Sequence, residues 1–346
     1  MILIEDNTNA DLNLLAENHY TTLISSRTKD DSDFHPTKSL IGRIKAQYNI
    51  DLADSLTDRL LFWDYLLDSN EEKLKLIIKS RPNDLKTLIT EITTLVPANF
   101  FSIEVDYNSA ELTDFGKIVR RIFDYEGYRN SQESKTNAEH LNIKFCPYCN
   151  EHSVPVILRT NNLTGQQKHT ALYQLDHFYP RSRHPYLSIS FFNLIPGCSP
   201  CNATLKREKR FNIDTHFNPF HKRLDEYFKF EITDLIVSKT SDVDIVYRNK
   251  QPHSDEQMKD FDIIERYNKT YKKVPLDIKL AFRNRSPRYR QSVIHQIKNL
   301  FPVNNDGVER LYEICGIPAS RNNINDFHLG KLKRDIAIQL EVLDEE

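Results

Sequence analysis

The sequence contains no run of about eighteen apolar residues, the minimum that a transmembrane helix needs. It also lacks an apolar leader of the secretory type. Hydrophobic residues make up 39% of the 346 residues and charged residues 28%, which is the balance of an ordinary soluble globular protein. We therefore expect a cytoplasmic protein without a membrane partner.

Cysteine is scarce, with five residues in the chain, which argues against a disulfide-stabilised scaffold. Four of them form two CxxC pairs, and we expect the fifth, Cys315, to be a small buried hydrophobic residue. The formal net charge is −2, so the chain as a whole does not attract a polyanion. The sequence has no P-loop, and nucleotide hydrolysis would therefore require a partner protein.

The length of the chain predicts two or three structural units. Apolar residues at helical spacing in residues 1–138 predict a helical scaffold or interaction domain. Residues 139–222 contain the motifs described below, and residues 223–346 predict a hairpin followed by helices, which offer a surface for nucleic-acid binding or docking. The predicted fold class is α+β in a mostly helical protein. The local predictions are a helix after Pro82, a helix at 116–125, a polar linker at 130–140, a hairpin of 227–237 with 243–247, and helices within 256–300 and 329–343.

The two CxxC pairs are Cys146 with Cys149 and Cys198 with Cys201. Zinc prefers four tetrahedral ligands, and a CxxC turn lets two thiolates from one loop reach the same ion. We predict a structural Zn²⁺ site, whose closure can contribute on the order of 10 kcal/mol to folding. Unrelated cysteines and a redox dithiol are the alternatives, and the presence of two pairs disfavours both.

Residues that suit metal-assisted hydrolysis lie between and just after these pairs. Alternation over residues 171–175 predicts a short strand that ends at Asp176 and His177. The residues from 200 onward predict a helix with Asn202 in its first turn. Asp176 and Asn202 offer oxygen ligands to a hard catalytic cation such as Mg²⁺ or Mn²⁺. Neutral His177 could then take a proton from the water that attacks phosphorus.

Two further roles complete this predicted site. Asn193, in an apolar stretch, is expected to hold the loop backbone and to orient the imidazole. Four cationic residues are expected to hold the scissile or neighbouring phosphates: Lys206, Arg207, Lys209 and Arg210. An Asp–His pair by itself is a weak signal, because surface histidines are usually not catalytic. The two flanking CxxC pairs make this one stronger.

The segment CPYC, followed by LDHFYPRSRHPYLSISFFNLIPGCSPCNATLK, resembles the HNH (ββα-metal) endonuclease family, in the subset with zinc knuckles. The resemblance covers roughly residues 145–210. It implies a central ββα-metal core with His177 as the general base, Asp176 as the metal-binding acid and Asn193 as the central asparagine. Asn202 occupies a final position that is histidine in many members, which makes this an HNN variant. Loss of an imidazole ligand favours Mg²⁺ or Mn²⁺ over softer metals.

The residues around the motif, including THFNPF at 215–220, resemble bacterial HNH proteins of anti-phage operons, such as the Septu-type nuclease subunit that works beside an ATPase. The resemblance implies an endonuclease that hydrolyses phosphodiester bonds of DNA in anti-phage defence or restriction. An ATPase encoded nearby could dock on the helical N-terminal part. The alternative is a zinc-knuckle module that binds nucleic acid or a partner protein without catalysis.

A second candidate for nucleic-acid binding is residues 266–298, where ten Lys or Arg residues accompany a single acid, Asp277. Tyr267, Tyr271 and Tyr289 are interleaved, as in surfaces that bind nucleic acid without sequence preference. A solvated helical face with tyrosines in the core explains the pattern equally well. Three histidines near the motif could contact phosphate or water, although loop histidines usually do neither: His184, His216 and His221.

Overall fold

The structure is a computed structural model that describes residues 2–25, 39–160, 165, 167–234, 243–283, 312–343 and 345. Within these residues the chain is α+β, with many helices and four two-stranded antiparallel sheets. This agrees with the predicted fold class. None of the helices described is both long and apolar enough to cross a membrane.

The N-terminal part begins with four helices: α1 (Leu12–Ser25), α2 (Leu40–Ala53), α3 (Thr57–Lys79) and α4 (Pro82–Leu95). Helix α3 is interrupted at residues 68–71, whose backbone angles are not helical. The helix predicted after Pro82 is present, and Pro82 itself opens it, because proline fits the first turn of a helix, where no backbone N–H is needed. Phe62 and Trp63 of α3 are fully buried between these helices and the loops that follow.

A hairpin of β1 (Ser102–Asp106) and β2 (Ser109–Leu112) follows α4, within a region that the sequence predicted to be largely helical. Helices α5 (Asp114–Ile122), α6 (Tyr125–Asn130) and α7 (Gln132–His140) come next. The predicted linker at 130–140 is therefore wrong. The Ser131 side chain accepts a hydrogen bond from the Ser134 backbone N–H, which caps α7 at its start, and Ala138 is buried. Tertiary packing thus stabilises a segment with weak helical patterning.

The central part contains β3 (Val156–Thr160), β4 (Gln167–Ala171), β5 (Gln174–His177) and β6 (Leu194–Gly197). Strand β3 pairs with β4, and β5 pairs with β6. The strand that carries the Asp–His pair therefore begins at Gln174 rather than at Ala171, since Ala171 belongs to the preceding hairpin. A π-helix, Pro200–Lys206, follows β6, so the predicted helix after residue 200 is present as a short, wide turn.

The C-terminal part has the predicted hairpin, formed by β7 (Phe228–Ile232) and β8 (Ile245–Asn249). It continues with α8 (Glu256–Asp260), α9 (Ile263–Thr270), α10 (Val274–Arg283) and α11 (Gly330–Gln339). These helices agree with the predicted helical stretches. The remainder of the 256–300 stretch, from 284 onward, lies outside the described residues.

The three parts share one connected cluster of buried hydrophobic residues that extends from Ile2 to Val342. Backbone hydrogen bonds join distant segments, including Ile4 N–H to Pro219 O at 2.8 Å and Leu329 N–H to Asn150 O at 2.8 Å. The central part is therefore packed on both sides by the rest of the chain. The unit boundaries at 138/139 and 222/223 stay predictions.

Candidate active site and thiolate cluster

The four cysteines of the CxxC pairs lie together and are buried. Their sulfur atoms all lie within 4.8 Å of one another. Cys149 Sγ and Cys198 Sγ are 3.8 Å apart. A zinc ion with bonds of about 2.3 Å to tetrahedral sulfurs needs S···S separations of about 3.8 Å. The cluster could therefore hold a metal such as zinc, as the spacing of the cysteines predicted.

Backbone hydrogen bonds shape the two loops around these sulfurs. The Asn150 N–H donates to Cys146 O at 2.7 Å and closes the first CxxC turn. The Asn202 N–H donates to Cys198 O at 3.0 Å and closes the second. The Cys198 N–H donates to Cys146 Sγ at 3.4 Å, so the two loops are also joined through a sulfur atom. The loops are therefore held in place by the backbone as well as by any ion.

The first CxxC loop is also fixed by the C-terminal part of the chain. Asn150 has a left-handed backbone with φ of 51°, and its side-chain oxygen accepts a hydrogen bond from the Lys331 N–H at 3.1 Å. Asn325 accepts from the Lys144 N–H at 2.8 Å and donates to Phe145 O at 2.7 Å. The sequence placed Asn150 beside the motif, but nothing in its spacing predicted these contacts with residues 180 positions away.

A cavity of about 350 Å³ lies beside the cluster. Five of the predicted site residues line it: Asp176, His177, Asn202, Lys206 and Arg207. Three do not. Asn193 is completely buried behind it. Lys209 lies outside and pairs with Asp260 at 2.8 Å, and Arg210 pairs with Glu104.

Asp176 is 2% exposed, and both of its carboxylate oxygens have partners. Oδ2 accepts a hydrogen bond from the Tyr148 hydroxyl at 2.6 Å, and Oδ1 accepts from Lys206 Nζ at 2.9 Å. Lys206 is 1% exposed and also donates to His177 O at 2.6 Å. Tyr148 lies inside the first CxxC pair and Lys206 just after the second. The thiolate cluster therefore positions both partners of this carboxylate.

His177 is held with its imidazole at the cavity wall. Its Nε2 is 2.9 Å from Ser188 O, a carbonyl that can only accept, so Nε2 carries the proton. Its ring packs edge-on against Tyr125 at 4.4 Å between centroids. Burial, with the positive charges of Arg181 and Lys206, lowers the pKa of His177 to about 3. The ring is therefore neutral at physiological pH, and its Nδ1, which no described residue contacts, has a free lone pair.

Asn193 has its hydrogen-bonding capacity filled by the loop that follows β5. Its Oδ1 accepts from the Tyr179 N–H at 2.7 Å, and its Nδ2 donates to Tyr179 O at 3.2 Å and to Leu187 O at 3.1 Å. Leu187 precedes Ser188, whose carbonyl fixes the His177 ring. Asn193 therefore holds the loop whose Ser188 carbonyl contacts the imidazole, and its part in a reaction stays a prediction.

Asn202 lies in the π-helix at the mouth of the cavity. Its Nδ2 donates to Gln174 Oε1 at 3.0 Å, which ties the helix to the first residue of β5. No hydrogen bond from another described residue reaches its side-chain oxygen, which is available as a ligand. Arg207 ends the π-helix with a φ of 51°, and this turn leaves its side chain exposed at the cavity.

Several residues that line the cavity were missing from the sequence-based site, and three of them bring an aromatic or a cationic side chain: Tyr125, Arg129 and Arg181. The Tyr125 hydroxyl donates to Leu175 O at 2.9 Å and thus joins α6 to β5. The guanidinium of Arg181 lies over the Tyr125 ring, 4.9 Å from its centroid. Arg181 lies within residues 145–210, the segment that resembles the HNH family, so its position in the sequence was a signal that could have identified it. Nothing in the spacing of Tyr125 and Arg129 connects them with the motif.

Several residues of the other predicted patches have structural roles. Tyr267 is buried and donates to Cys149 O at 2.6 Å, and Tyr271 donates to Glu151 at 3.1 Å. Both support the first CxxC loop, whereas Tyr289 lies outside the described residues. His216 stacks on Phe211 and pairs with Asp260. None of the three loop histidines, His184, His216 and His221, lines the 350 Å³ cavity.

In comparisons with protein-family models, with curated proteins and with solved structures, no match to this chain was found.

Proposed function

We propose that this protein is a metal-dependent endonuclease of the HNH type, in its HNN form, that hydrolyses phosphodiester bonds of DNA. The observation that carries the proposal is the shared cavity of Asp176, His177 and Asn202, in which Asp176 is hydrogen-bonded to Tyr148 of the first CxxC loop and to Lys206 of the π-helix that follows the second. The order of β5, β6 and the π-helix is the strand–strand–helix order that the sequence resemblance implies.

The thiolate cluster fits a structural Zn²⁺ in this proposal. Four buried cysteines offer only sulfur ligands, and four such ligands complete a tetrahedral site without leaving a position for substrate. The ion would fix the start of the π-helix relative to Tyr148. Its role would therefore be to position Asp176 and Asn202 rather than to take part in the reaction.

A catalytic Mg²⁺ or Mn²⁺ would be held by the oxygens of Asp176 and Asn202. Neither belongs to a group of three or more His, Cys, Asp or Glu ligands among the described residues, so water and substrate phosphate would supply the remaining ligands, as Mg²⁺ commonly requires. When bound, the cation stabilises the negative charge on the leaving 3′ oxygen. Lys206 now neutralises Asp176 Oδ1, and it would have to give up this contact.

In this proposal the residues of the chain have separate roles in the hydrolysis. Ser188 O holds the Nε2 proton of His177, which leaves Nδ1 to take a proton from the attacking water. The water oxygen bonds to phosphorus, and the bond from phosphorus to the 3′ oxygen breaks. Asn193 keeps the loop in place during this step. Arg207, exposed at the cavity, is available for a phosphate.

The test is cleavage of plasmid, linear and single-stranded DNA with Mg²⁺ or Mn²⁺. We expect His177→Gln to lose at least about a hundredfold in rate, the usual contribution of a general base, without loss of zinc or of the folded state. His140→Gln, at the exposed end of α7, is the matched control and is expected to cut like the wild type. Cutting that persists at the wild-type rate in His177→Gln would remove His177 as the base.

One observation favours the second candidate function, a zinc-knuckle module that binds without catalysis. Asp176 is satisfied within the protein by Tyr148 and Lys206, as expected of a carboxylate with a structural role. The two functions differ in their response to Mg²⁺. A protein that binds DNA equally well with and without Mg²⁺, and cuts no substrate, would be such a module.

The biological setting is proposed from the sequence resemblance alone. It is anti-phage defence or restriction, with an ATPase partner that docks on the helical N-terminal part. Co-purification of the full chain with the product of a neighbouring ATPase gene tests this, together with the cleavage assay in its presence. Absence of a stable complex, and of any effect on cleavage, would count against the partner.

A further inference from the structure

The cavity that holds His177 continues into a second recess of about 320 Å³. Tyr125 and Arg181 line both of them, so the two are adjacent. The other residues of the second recess come from α5 and the start of α6: Lys117, Arg120, Arg121, Asp124 and Glu126. The recess thus extends the cavity onto the helical N-terminal part of the chain.

Helix α5 presents its cationic residues to solvent on one side. Lys117, Arg120 and Arg121 are exposed and lie three and four residues apart, which places them on neighbouring positions of one helical face. Phe115 and Val119 on the opposite side are buried. The helix is therefore anchored by its apolar face, while its cationic face borders the recess.

Some of these cations have acidic partners within the protein and others have none among the described residues. Arg120, Arg121 and Arg207 form no ion pair with any residue that the structure describes. Arg181 and Arg129 share one acid, Glu126, at 3.1 and 3.7 Å. Lys117 pairs with Asp114 at 3.1 Å, but both side chains are largely exposed, so this pair is weak.

Like charges held close together raise the free energy of the protein unless an anion joins them. Arg120 and Arg181 are near enough that burial and the charge of Arg181 together lower the pKa of Arg120, against the opposite effect of the acids Glu126 and Glu208. The chain as a whole has a net charge of −2, so this concentration of positive charge is local. It borders the cavity that contains His177, so an anion bound by these residues would lie beside the proposed active site.

We propose that a basic surface, consisting of Lys117, Arg120, Arg121, Arg129, Arg181 and Arg207, binds the phosphodiester backbone of DNA and leads it into the cavity. The proposal rests on the nuclease function and adds the path of the substrate, which crosses α5 and α6, outside the segment that resembles the HNH family. Guanidinium groups suit phosphate because their N–H groups can donate two parallel hydrogen bonds to its oxygens. Contacts of this kind do not depend on base sequence.

The surface differs from residues 266–298, the candidate that composition suggested. There, Arg266 is paired with Glu151, and Tyr267 and Tyr271 support the first CxxC loop. These side chains are engaged in the fold, whereas the cations of α5 are exposed. Among the described residues, no member of 266–298 lines the cavity or the recess beside it, whereas the cations of α5 line the recess, so we place the path of the DNA on α5.

The test measures binding of fluorescent duplex DNA to the full-length protein without added Mg²⁺ or Mn²⁺, at about 50 to 200 mM salt. We expect Arg120→Ala/Arg121→Ala to weaken binding and to reduce the slope of log K against log salt by about 2, roughly one unit for each lost phosphate contact. The control, Arg159→Ala/Lys168→Ala, removes two exposed cations that face each other across β3 and β4, away from the cavity. It is expected to keep the wild-type slope.

Binding and cutting are measured separately, so the experiment can contradict the basic surface and the nuclease function independently. Wild-type protein that binds with a salt slope reduced in Arg120→Ala/Arg121→Ala, but never cuts, supports the surface and contradicts the nuclease. Equal slopes for both double variants, with normal cutting, overturn the surface and leave the nuclease intact. Wild-type protein that does not bind duplex DNA at low salt also overturns the surface. Circular dichroism and zinc content verify that each variant is folded.

Discussion

The two ends of the π-helix Pro200–Lys206 are stabilised in different ways. At its start, Cys201 belongs to a buried group of four sulfurs, and Arg266 Nη1 lies 3.6 Å from its Sγ. At its end, Lys206 forms a buried ion pair with Asp176 and a hydrogen bond to His177 O. Four deprotonated cysteines would exceed what one guanidinium can neutralise, whereas the Asp176 carboxylate is matched by one ammonium group.

In the proposed nuclease, this difference would separate a metal needed for folding from a metal needed for chemistry. Buried charge is tolerated only when it is paired or bound to an ion, so in the deprotonated form that binds a metal the four cysteines would need a cation from outside the chain. The cavity end supplies its own cation in Lys206 and can fold without one. Removal of zinc and removal of Mg²⁺ should therefore have very different effects on stability.

The largest effect is expected from loss of the ion at the thiolate cluster. A structural zinc site contributes on the order of 10 kcal/mol, comparable to the whole stability of a typical domain. We expect a strong zinc chelator, or Cys198→Ser, to unfold the central part of the chain. Circular dichroism melting and metal analysis measure this, with about one zinc expected per wild-type chain.

Cys315→Ser is the control for the thiolate prediction, because Cys315 is a half-buried thiol outside the cluster. It should keep its zinc and nearly all of its melting temperature. Removal of free Mg²⁺ by dialysis should leave the wild-type melting temperature unchanged. A Cys198→Ser protein with the wild-type zinc content would contradict the four-sulfur site.

The buried ion pair at the other end of the π-helix should produce the next largest effect. Lys206→Met leaves the Asp176 carboxylate buried without its cation, and breaking a buried pair in this way costs about 3–5 kcal/mol. We expect the double variant Asp176→Asn/Lys206→Met to recover part of this loss, because the uncompensated charge is gone. Urea unfolding of the two single variants and the double variant measures the coupling.

The alternative role for Lys206 is the phosphate anchor that the sequence predicted. In that role its side chain would be solvent-accessible, and Lys206→Met would weaken DNA binding with little loss of stability. A coupling free energy near zero in the double-variant cycle would favour it. The structure instead buries Lys206 to 1% exposure, with its Nζ donating to Asp176 Oδ1 and to His177 O, and we expect strong coupling.

The sequence predicted the thiolate end far better than the cavity end. CxxC spacing alone brings two sulfurs into one turn, so Cys146 and Cys149 were predictable from local geometry. The ion pair of Lys206 with Asp176 spans 30 residues and depends on how β5 meets the π-helix. Local patterns carry no information on such a contact, which explains why Lys206 was assigned to phosphate.

The lack of information on distant contacts also explains which parts of the fold were predicted correctly and which were not. The β7–β8 hairpin was predicted because each strand alternates polar and apolar residues. Helix α7 was taken for a linker because its sequence is polar, and its helical form depends on packing against β3 and β4. The basic face of α5 was missed for a different reason. Its three cations were visible in the sequence, but their position beside the cavity was not.

A smaller effect on the free energy of unfolding is expected from the protonation of His184 at low pH. Burial, together with the positive charges of Arg183 and Arg210, lowers the pKa of His184 to about 4 from an ordinary value of 6.5. The unfolded chain therefore binds a proton below pH 6.5 that the folded chain binds only near pH 4. Stability from this group is present above pH 6.5 and is lost as the pH falls toward 4.

His184→Gln should flatten the acid side of the stability curve, because glutamine does not titrate. The measurement is urea unfolding of the wild type and the variant between pH 7 and about 4.5, since the slope reports the difference in bound protons. Protonation of the cysteines also weakens metal binding at low pH, and it affects both proteins equally. His140→Gln should follow the wild type. Parallel curves for His184→Gln and the wild type would contradict the shift.

The smallest effect is expected at Lys209, one of the phosphate residues that the sequence predicted beside Arg207. Lys209 is partly exposed and pairs with Asp260 away from the cavity, whereas Arg207 lines the cavity and has no acidic partner among the described residues. A partly exposed pair contributes at most about 1 kcal/mol, so Lys209→Ala should melt slightly earlier and bind DNA like the wild type. Arg207→Ala should show the reverse, with unchanged melting and a salt slope smaller by about 1. Equal loss of DNA binding in both variants would extend the basic surface to Lys209 and would weaken the distinction between the residues inside and outside the cavity.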